Sequence, residues 1–341
     1  MAGQLSFDSQ WDPPSEASSA PGPAGRLLGQ RRGVSFFELP CRTVLNRCTS
    51  ERMPFQWTIN PYRGCEFGCT YCYARYSHEF LGMGEWLDFQ EKILVKRSAP
   101  ALLPKELTCE RLEGKSLAIG TVTDPYQPAE REFRVTRGIL ERLVLARDLT
   151  VSITTKSALI TRDLDLLREI ASRSRLSVNL SLITLNRKLA RILEPRAPTP
   201  ERRIATLHRL AGAGLKVGVF AMPVLPGLTD SARGLEALVR AAAGAGATHF
   251  VAQMLFLRSS ALQGFLPRLE KDFPALVSRY RREYSRSAYQ SEVVRERLSR
   301  LVSELKRKYR LGSARAESLH PRNGEAAGSA NPVLQNHLLF R

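Results

Sequence analysis

The stretch NPYRGCEFGCTYCYAR, residues 60–75, places three cysteines within eight positions, with the spacing Cys-x3-Cys-x2-Cys. These are Cys65, Cys69 and Cys72. Three thiolates this close readily share a metal, because closing a loop over so few residues costs little conformational entropy. Structural zinc and iron–sulfur sites normally use four protein ligands. A cubane held by three cysteines keeps one iron open, so the spacing predicts a catalytic 4Fe–4S cluster.

A second ligand set competes with this interpretation. His78 follows the last of these cysteines and would complete a Cys3His zinc site. Gly64 and Gly68, on the other hand, let the loop backbone wrap closely around a bulky cluster. The other three cysteines do not form such a cluster and are interpreted as ordinary buried or free thiols: Cys41, Cys48 and Cys109.

Short apolar runs alternate with helical patterns on both sides of the cysteine loop. Six runs rich in Val, Ile, Thr and Phe predict strands: Gln56–Asn60, Ser116–Thr121, Thr150–Thr155, Leu176–Ile183, Leu215–Met222 and Thr248–Leu257. Thr199 before Pro200 predicts a helix start, and Thr229-Asp230 predicts another. Strand–helix repeats of this kind form a parallel sheet. We therefore expect an α/β fold, a partial (β/α)6 TIM-type barrel with active residues at the carboxyl ends of its strands.

Composition divides the chain into four segments. Residues 1–35, rich in Pro, Ser, Gly and Ala, are predicted to be disordered. Residues 52–258 form the barrel domain, 259–312 a basic helical extension, and 313–341 a flexible tail.

The net charge of +18 comes from 51 Lys and Arg against 33 Asp and Glu. A field of this sign attracts polyanions, so nucleic acid is a candidate partner. An arginine-rich composition with solvated helix faces explains the same number, because the arginines are spread widely. No run reaches the ~20 apolar residues that span a bilayer, and the amino terminus lacks a signal-peptide pattern. We expect a cytoplasmic protein without a membrane segment; the sequence leaves its oligomeric state open.

The cysteine spacing, together with an aromatic residue before the last cysteine and the predicted barrel, resembles the radical S-adenosylmethionine (radical SAM) superfamily. The triplet Tyr71-Cys72-Tyr73 and three later segments resemble its spore photoproduct lyase-like branch. Those segments are GTVTDPYQPAE (120–130), ITTKS (153–157) and LEPRAPTPERRIATL (193–207). The resemblance covers roughly residues 52–257.

This resemblance implies a 4Fe–4S cluster and S-adenosyl-L-methionine as cofactors. In the superfamily, the reduced cluster cleaves S-adenosylmethionine to methionine and a 5′-deoxyadenosyl radical, which abstracts hydrogen from a substrate. Cofactors carry this chemistry while the protein positions and shields it. An electron donor such as a flavodoxin or ferredoxin is implied as well.

Five residues are candidate cofactor ligands. The resemblance places Tyr71 near the adenine and Lys156 opposite the methionyl carboxylate. Asp124 ends the second predicted strand and could accept from the methionyl ammonium or a ribose hydroxyl. Asn179 and Ser181 alternate on the fourth strand and so share a face. Each has a structural alternative: a turn-forming aspartate, a surface lysine, or polar residues satisfied inside the barrel.

Tyr73 is the candidate catalytic residue, a possible relay of a hydrogen atom. Spore photoproduct lyases carry a hydrogen-donating cysteine just past the second strand, whereas here the place falls at Gly120-Thr121. A hydroxyl cannot replace the weaker S–H bond, so we expect S-adenosylmethionine cleavage without efficient photoproduct repair. Glu194, paired with Arg196 or Arg202, is expected to fix the loop after the fourth strand.

Three functions therefore compete. The first is a radical SAM enzyme, lyase-like or hydrogen-abstracting, that acts on nucleic acid or a damaged base. The second is a radical SAM enzyme that modifies a protein, peptide or metabolite. The third is a zinc-stabilised nucleic-acid-binding module.

Overall fold

The computed structural model describes residues 25–49, 53–109, 112, 115–257 and 259–312. Its strands are β1 (Leu27–Arg31), β2 (Val34–Glu38), β3 (Asn46–Arg47), β4 (Trp57–Ile59), β5 (Tyr62–Arg63), β6 (Lys92–Val95), β7 (Ser116–Ile119), β8 (Thr150–Thr155), β9 (Arg175–Ser181), β10 (Lys216–Val224) and β11 (His249–Met254).

The α-helices are α1 (Tyr76–Glu79), α2 (Asp88–Glu91), α3 (Ala99–Cys109), α4 (Glu130–Phe133), α5 (Val135–Leu143), α6 (Leu164–Arg173), α7 (Arg187–Leu193), α8 (Pro200–Gly212), α9 (Ala232–Gly244), α10 (Ser259–Asp272), α11 (Val277–Tyr284) and α12 (Glu292–Lys308). Short 3-10 turns occupy Tyr73–Arg75, Ala158–Asp163 and Pro274–Leu276.

The larger sheet has the strand order β11-β10-β9-β8-β7-β4-β3. Strands β4 and β7 to β11 run parallel, each beside its successor in the chain, while β3 is antiparallel to β4. All six strands predicted from sequence are present, and the helices between them make the repeating strand–helix unit. The partial (β/α)6 barrel is thereby confirmed.

The two faces of this sheet differ in chemistry. One face packs apolar strand residues against the helices, as Val151, Val178 and Val217 do with Leu167 and Leu207. Because side chains alternate along a strand, the intervening residues line the opposite, concave face. These residues are small or polar and are matched in register across the strands: Ser152, Thr154, Ser177, Asn179, Gly218 and His249. The barrel interior is therefore polar, which suits the binding of a polar ligand.

Side-chain caps set the starts of α7, α8 and α9. The Thr199 side chain accepts from the Arg202 backbone N–H, and α8 begins at Pro200 as predicted. The predicted start at Thr229-Asp230 is wrong, since Ser231 caps α9 instead. Thr229 Oγ1 accepts from the Leu225 backbone N–H at 2.8 Å, and its hydroxyl is thereby used to close the preceding turn.

A second sheet, which the sequence analysis missed, has the order β1-β2-β6-β5. Residues 27–38 form the β1–β2 hairpin, and β2 pairs in parallel with β6. The predicted disorder of residues 1–35 is thus wrong for residues 27–35, while 1–24 lie outside the described residues. Val34 and Phe36 are buried in the main core, and this apolar alternation outweighs the Gly- and Arg-rich composition of the hairpin.

The carboxyl-terminal helices are integral to the fold. On α12, Leu298, Val302 and Leu305 belong to the main core. Phe265 of α10 and Tyr280 of α11 instead pack in a second apolar cluster with Cys69. Residues 259–312 therefore form the predicted helical segment, but one that completes the barrel instead of extending from it. The predicted flexible tail, 313–341, lies outside the described residues. No helix among the described residues is long and apolar enough to cross a membrane.

Candidate active site

The cysteine loop follows directly after β4 and β5 and is fixed at both ends by backbone hydrogen bonds. The Cys65 N–H donates to the Phe89 carbonyl at 2.8 Å, and the Thr70 N–H donates to the Leu193 carbonyl at 2.9 Å. Gly64 has φ +82°, and a Cβ there would lie 2.7 Å from the Phe89 carbonyl oxygen. The loop therefore keeps its close approach to α2 only with glycine at this position.

Arg75 is hydrogen-bonded to the backbone of the cysteine loop, a role that was not predicted from the sequence. It is 6% exposed and donates to the backbone carbonyls of Cys69 (3.1 Å) and Trp86 (2.5 Å). Its guanidinium also lies 3.9 Å from the Trp86 ring centroid. A buried cation behind three potential thiolates offsets their negative charge. An arginine three residues past a cysteine motif is the only local signal that could have indicated it.

The three thiols lie close enough to influence one another. Burial raises the pKa of Cys65, and the charges of Asp124, Cys69 and Cys72 raise it further. Burial likewise raises the pKa of Cys69 to about 12, against the opposing charge of Lys156. A soft donor set of thiols alone suits iron–sulfur chemistry, and binding to a metal deprotonates thiols that burial keeps neutral. The residues present therefore fit a cluster.

The structure does not favour the zinc alternative. The His78 Nε2 lies 3.0 Å from the Lys92 carbonyl oxygen, and its ring packs edge-on against Phe89, at a centroid distance of 5.1 Å. Within the described residues, no three His, Cys, Asp or Glu side chains converge tightly enough for a single metal ion. Thiols around a cubane stand farther apart than thiols around one zinc ion, where each Zn–S bond is about 2.3 Å.

Glu194 is the centre of a buried polar network at the carboxyl ends of the strands. It is 2% exposed, and its Oε2 accepts from Arg203 Nη2 at 2.5 Å. Its Oε1 accepts from the Tyr71 hydroxyl and lies 3.9 Å from Lys156 Nζ. The predicted partners Arg196 and Arg202 are wrong, since helical geometry in α8 turns Arg203 inward. Burial alone would raise the pKa of Glu194, but Arg203 and Lys156 outweigh it and lower that pKa.

Glu194 therefore brings together Tyr71 and Lys156, the two candidate ligands that the resemblance predicted. The sequence had predicted only a structural role for Glu194. Burial would lower the pKa of Lys156, but the negative charges of Cys69, Glu194 and Asp124 raise it above its ordinary value. The lysine stays charged beside the cysteine loop. Among the described residues, no carboxylate oxygen lies closer than 3.9 Å to its ammonium, so Lys156 can bind an anionic ligand.

Asp124 is committed to backbone and side-chain donors. Its Oδ1 accepts from Thr155 Oγ1 at 2.6 Å and from the Tyr126 N–H at 2.9 Å, and its Oδ2 accepts from the Lys156 N–H at 2.7 Å. Burial raises the pKa of Asp124, while these hydrogen bonds lower it. The arrangement favours the turn-forming alternative, in which Asp124 positions Lys156.

Asn179 and Ser181 share a strand face, as predicted, but their side chains differ in how far their hydrogen-bonding groups are already used. Asn179 Nδ2 donates to Ser152 Oγ at 2.9 Å, and its Oδ1 lies 2.7 Å from His249 Nε2. Both polar ends of Asn179 are thus used inside the barrel, which argues against the predicted ligand role. The hydroxyl of Ser181 has no hydrogen-bond partner among the described residues, and its carbonyl accepts from Arg203 at 3.0 Å.

Tyr73 directly follows the last cysteine of the loop. Its hydroxyl donates to the carbonyl oxygen of Thr121, in the segment Gly120-Thr121 where the resemblance placed the missing cysteine. Asn60 Nδ2 donates to Thr121 Oγ1 at 3.0 Å, and Asn60 Oδ1 accepts from the Thr121 N–H at 3.0 Å. Tyr73 is therefore held against the end of β7, beside the cysteine loop.

The comparisons with known proteins agree with this geometry. A family model described as the Radical SAM superfamily matches residues 59–237. An uncharacterized protein of Mycobacterium tuberculosis is 40% identical over 280 residues, which cover 82% of each chain. An uncharacterized protein of Acidianus two-tailed virus is 31% identical over 245 residues, or 67% of this chain and 79% of that one. The chain belongs to the radical SAM superfamily.

Among solved structures, the chain is similar to a spore photoproduct lyase variant with bound AdoMet and dinucleoside spore photoproduct. The TM-score is 0.58 at 15% identity, and the match covers 80% of this chain and 79% of that chain. The likeness extends to the same enzyme complexed with dinucleoside spore photoproduct, also with a TM-score of 0.58 and 15% identity over the same shares of the two chains. The barrel and its covering helices are therefore shared with that fold.

Proposed function

We propose that this protein holds a 4Fe–4S cluster on Cys65, Cys69 and Cys72 and cleaves S-adenosylmethionine reductively. The observation that carries the proposal is a set of three mutually interacting thiols in the loop after β4 and β5, of which Cys69 is buried and Cys65 and Cys72 are half-buried. When bound, the cluster and S-adenosylmethionine supply an electron and a 5′-deoxyadenosyl radical for hydrogen abstraction.

The chain's own residues bind and orient the cofactor. Lys156 presents an ammonium to the methionyl carboxylate, and the Ser181 hydroxyl offers a further donor or acceptor. Glu194 keeps Lys156 charged and holds the Tyr71 ring in place through its hydroxyl. Phe265 of α10 and Tyr280 of α11 exclude water from the Cys69 side of the loop. A reduced thiol set and an acidic electron donor such as a flavodoxin or ferredoxin suit a cytoplasmic enzyme.

We propose nucleic acid, or a base within it, as the substrate class. The support is the net charge of +18 together with a polar concave barrel face. Modification of a protein, peptide or metabolite is the alternative, and no charged or aromatic feature of the described surface favours it over nucleic acid.

Photoproduct repair by the spore photoproduct lyase route is not proposed. The segment Gly120-Thr121, where the resemblance places the thiol donor, has no thiol, and the Thr121 side chain is hydrogen-bonded to Asn60. Tyr73 could still pass a hydrogen atom, but it has no neighbouring cysteine at that position from which to receive one. The reaction is therefore lyase-like or hydrogen-abstracting, and any product radical that must be quenched receives its hydrogen atom from another donor.

The test is anaerobic reconstitution with iron and sulfide, followed by dithionite and S-adenosylmethionine, with 5′-deoxyadenosine quantified by chromatography. We expect roughly four iron per chain and formation of 5′-deoxyadenosine. Cys69→Ala should abolish both, whereas Cys48→Ala, a half-buried thiol outside the loop, should keep them. A colourless zinc protein, or equal loss in both variants, would contradict the assignment.

A further inference from the structure

Two cations, Arg63 and Lys96, lie side by side in the second sheet and outside the proposed cofactor site. Arg63 of β5 pairs with Leu94 of β6, and Lys96 follows two residues later, so both side chains emerge on one face. Lys96 is only 7% exposed, and Arg63 is partly buried.

Neither cation has a counterion. Among the described residues, no hydrogen bond or ion pair involves the side-chain nitrogens of Arg63 or Lys96. Glu106, a carboxylate whose charge acts on Lys96, accepts hydrogen bonds from the backbone N–H groups of Val44 (2.7 Å) and Leu45 (2.7 Å) and forms no ion pair with either cation. Burial, and then the charge of Arg63, lowers the pKa of Lys96 to about 8.

The surrounding backbone adds to the positive potential. Lys96, Arg97 and Ser98 lead directly into α3, whose amino-terminal end carries a partial positive charge. The Ser98 hydroxyl lies 3.2 Å from the Cys41 thiol, and these two groups form a polar wall next to Lys96. A buried lysine beside a partly buried arginine, close to a helix amino terminus, is costly unless an anion offsets the two charges.

An aromatic pair adjoins the two cations. Tyr76 is close enough to Arg63 to influence its charge, and it contacts Phe80 edge-on at a centroid distance of 5.8 Å. Phe80 is 59% exposed, so much of its ring faces solvent. Tyr76 is in turn a neighbour of Tyr73, whose hydroxyl reaches the end of β7.

We infer that Arg63 and Lys96 bind a backbone phosphate of a single-stranded nucleic acid, and that Phe80, supported by Tyr76, stacks on one of its bases. Paired cations beside an exposed aromatic ring are the arrangement that recognises single strands, because unpaired bases offer their faces for stacking. The site lies on the Tyr73 side of the cysteine loop and so orients a strand toward the proposed reaction centre. This inference rests on the proposed function and gives it a substrate class and a binding subsite.

The test is binding of a labelled oligodeoxythymidylate to the cluster-loaded protein, followed by fluorescence anisotropy over a range of salt. Lys96→Gln should weaken binding about tenfold, the equilibrium cost of one charge-assisted hydrogen bond. It should also reduce the slope of log affinity against log salt by about 0.7, the loss of one phosphate contact on a single strand. The matched control is Arg97→Gln, which removes the same charge from the exposed neighbouring position and should stay within about twofold.

Further arms separate phosphate from base recognition. Phe80→Ala should weaken oligodeoxythymidylate binding at least about fivefold, as loss of one stacked base predicts, whereas the exposed Leu87→Ala should not. Inorganic phosphate should raise the melting temperature of the wild type and of Phe80→Ala but not of Lys96→Gln. Deoxythymidine monophosphate should compete only weakly if the occupant is a polynucleotide.

Three results would overturn the inference. One is an unchanged salt slope in Lys96→Gln, and another is an equal loss in Arg97→Gln. The third is failure of Lys96→Gln to fold, combined with no phosphate-specific gain in melting temperature for the wild type at equal ionic strength. Failure of the proposed function would show separately, as absence of iron and 5′-deoxyadenosine in the wild-type protein.

Discussion

Glu194→Gln tests whether the buried network at the barrel mouth is held together by charge. The substitution keeps the size of the side chain but removes the anion between Arg203, Lys156 and Tyr71. Arg203 is 1% exposed, so its guanidinium would stay buried with only neutral acceptors, the Ser181 and Pro198 carbonyls at 3.0 and 2.9 Å. Breaking a buried pair costs about 3–5 kcal/mol, and the two remaining acceptors favour the lower end.

A surface ion pair on α6 serves as the control. Arg173 and Glu169 form the same kind of pair at the same N···O distance of 2.5 Å as Arg203 and Glu194, but their side chains are 36% and 43% exposed against 1% and 0%. Solvent screens the surface pair, so Glu169→Gln should cost less than about 1 kcal/mol.

The assay is thermal unfolding of the two variants under anaerobic conditions. A loss of about 3 kcal/mol should lower the melting temperature by roughly 6–12 °C in a domain of this size, against at most about 4 °C for the control. The double variant Glu194→Gln with Arg203→Met should recover much of the loss, since it removes the orphaned cation. Equal shifts for Glu194→Gln and Glu169→Gln would refute the reasoning, because burial would then make no difference.

The remaining predictions concern the cofactor, pH and the substrate. Lys156→Ala should weaken S-adenosylmethionine binding by about 1–3 kcal/mol while the cluster still assembles, and an unchanged dissociation constant in anaerobic titration would contradict its role. Burial, then Lys216 and Lys306, lowers the pKa of His249 to about 4. Below about pH 6.5, the pKa of His249 in the unfolded chain, the unfolded state therefore binds more protons than the folded state. The free energy of unfolding is highest above that pH and falls toward pH 4. Between about pH 7.5 and about pH 5, His249 should lower the free energy of unfolding by about 2 kcal/mol. In denaturant titrations over this pH range, His249→Gln should lose about 2 kcal/mol less than the wild type. Anaerobic incubation with the dinucleotide photoproduct should yield 5′-deoxyadenosine but little thymine, because Thr121 has no thiol; clean multiple-turnover repair would refute this expectation.

Much of the fold follows from local sequence. Strands β4 and β7 to β11 carry the Val, Ile and Thr runs of buried parallel strands, and pattern alone located all six. Local capping chemistry likewise identified the start of α8 at Thr199-Pro200. The cysteine loop was recognisable because its three cysteines lie within eight positions, so no long-range contact is needed to bring them together.

Other features depend on contacts between distant segments. The β1–β2 hairpin was missed because its apolar residues are few and become buried only against β6. The Arg partner of Glu194 was wrongly assigned, since only the packing of α8 on the barrel determines which arginine faces inward. The availability of Asn179 was decided in the same way by His249, 70 residues later in the chain.

The barrel strands and the candidate cluster ligands could be predicted from the sequence, because both are encoded by spacing along the chain. Tertiary structure alone decided which polar groups stay available to a ligand and which are used by the protein. Ser181 and Lys156 remain available, whereas Asn179 and Asp124 are committed to neighbours on other strands. The physical reason is that a buried polar group must find a partner, and that partner is chosen by three-dimensional proximity.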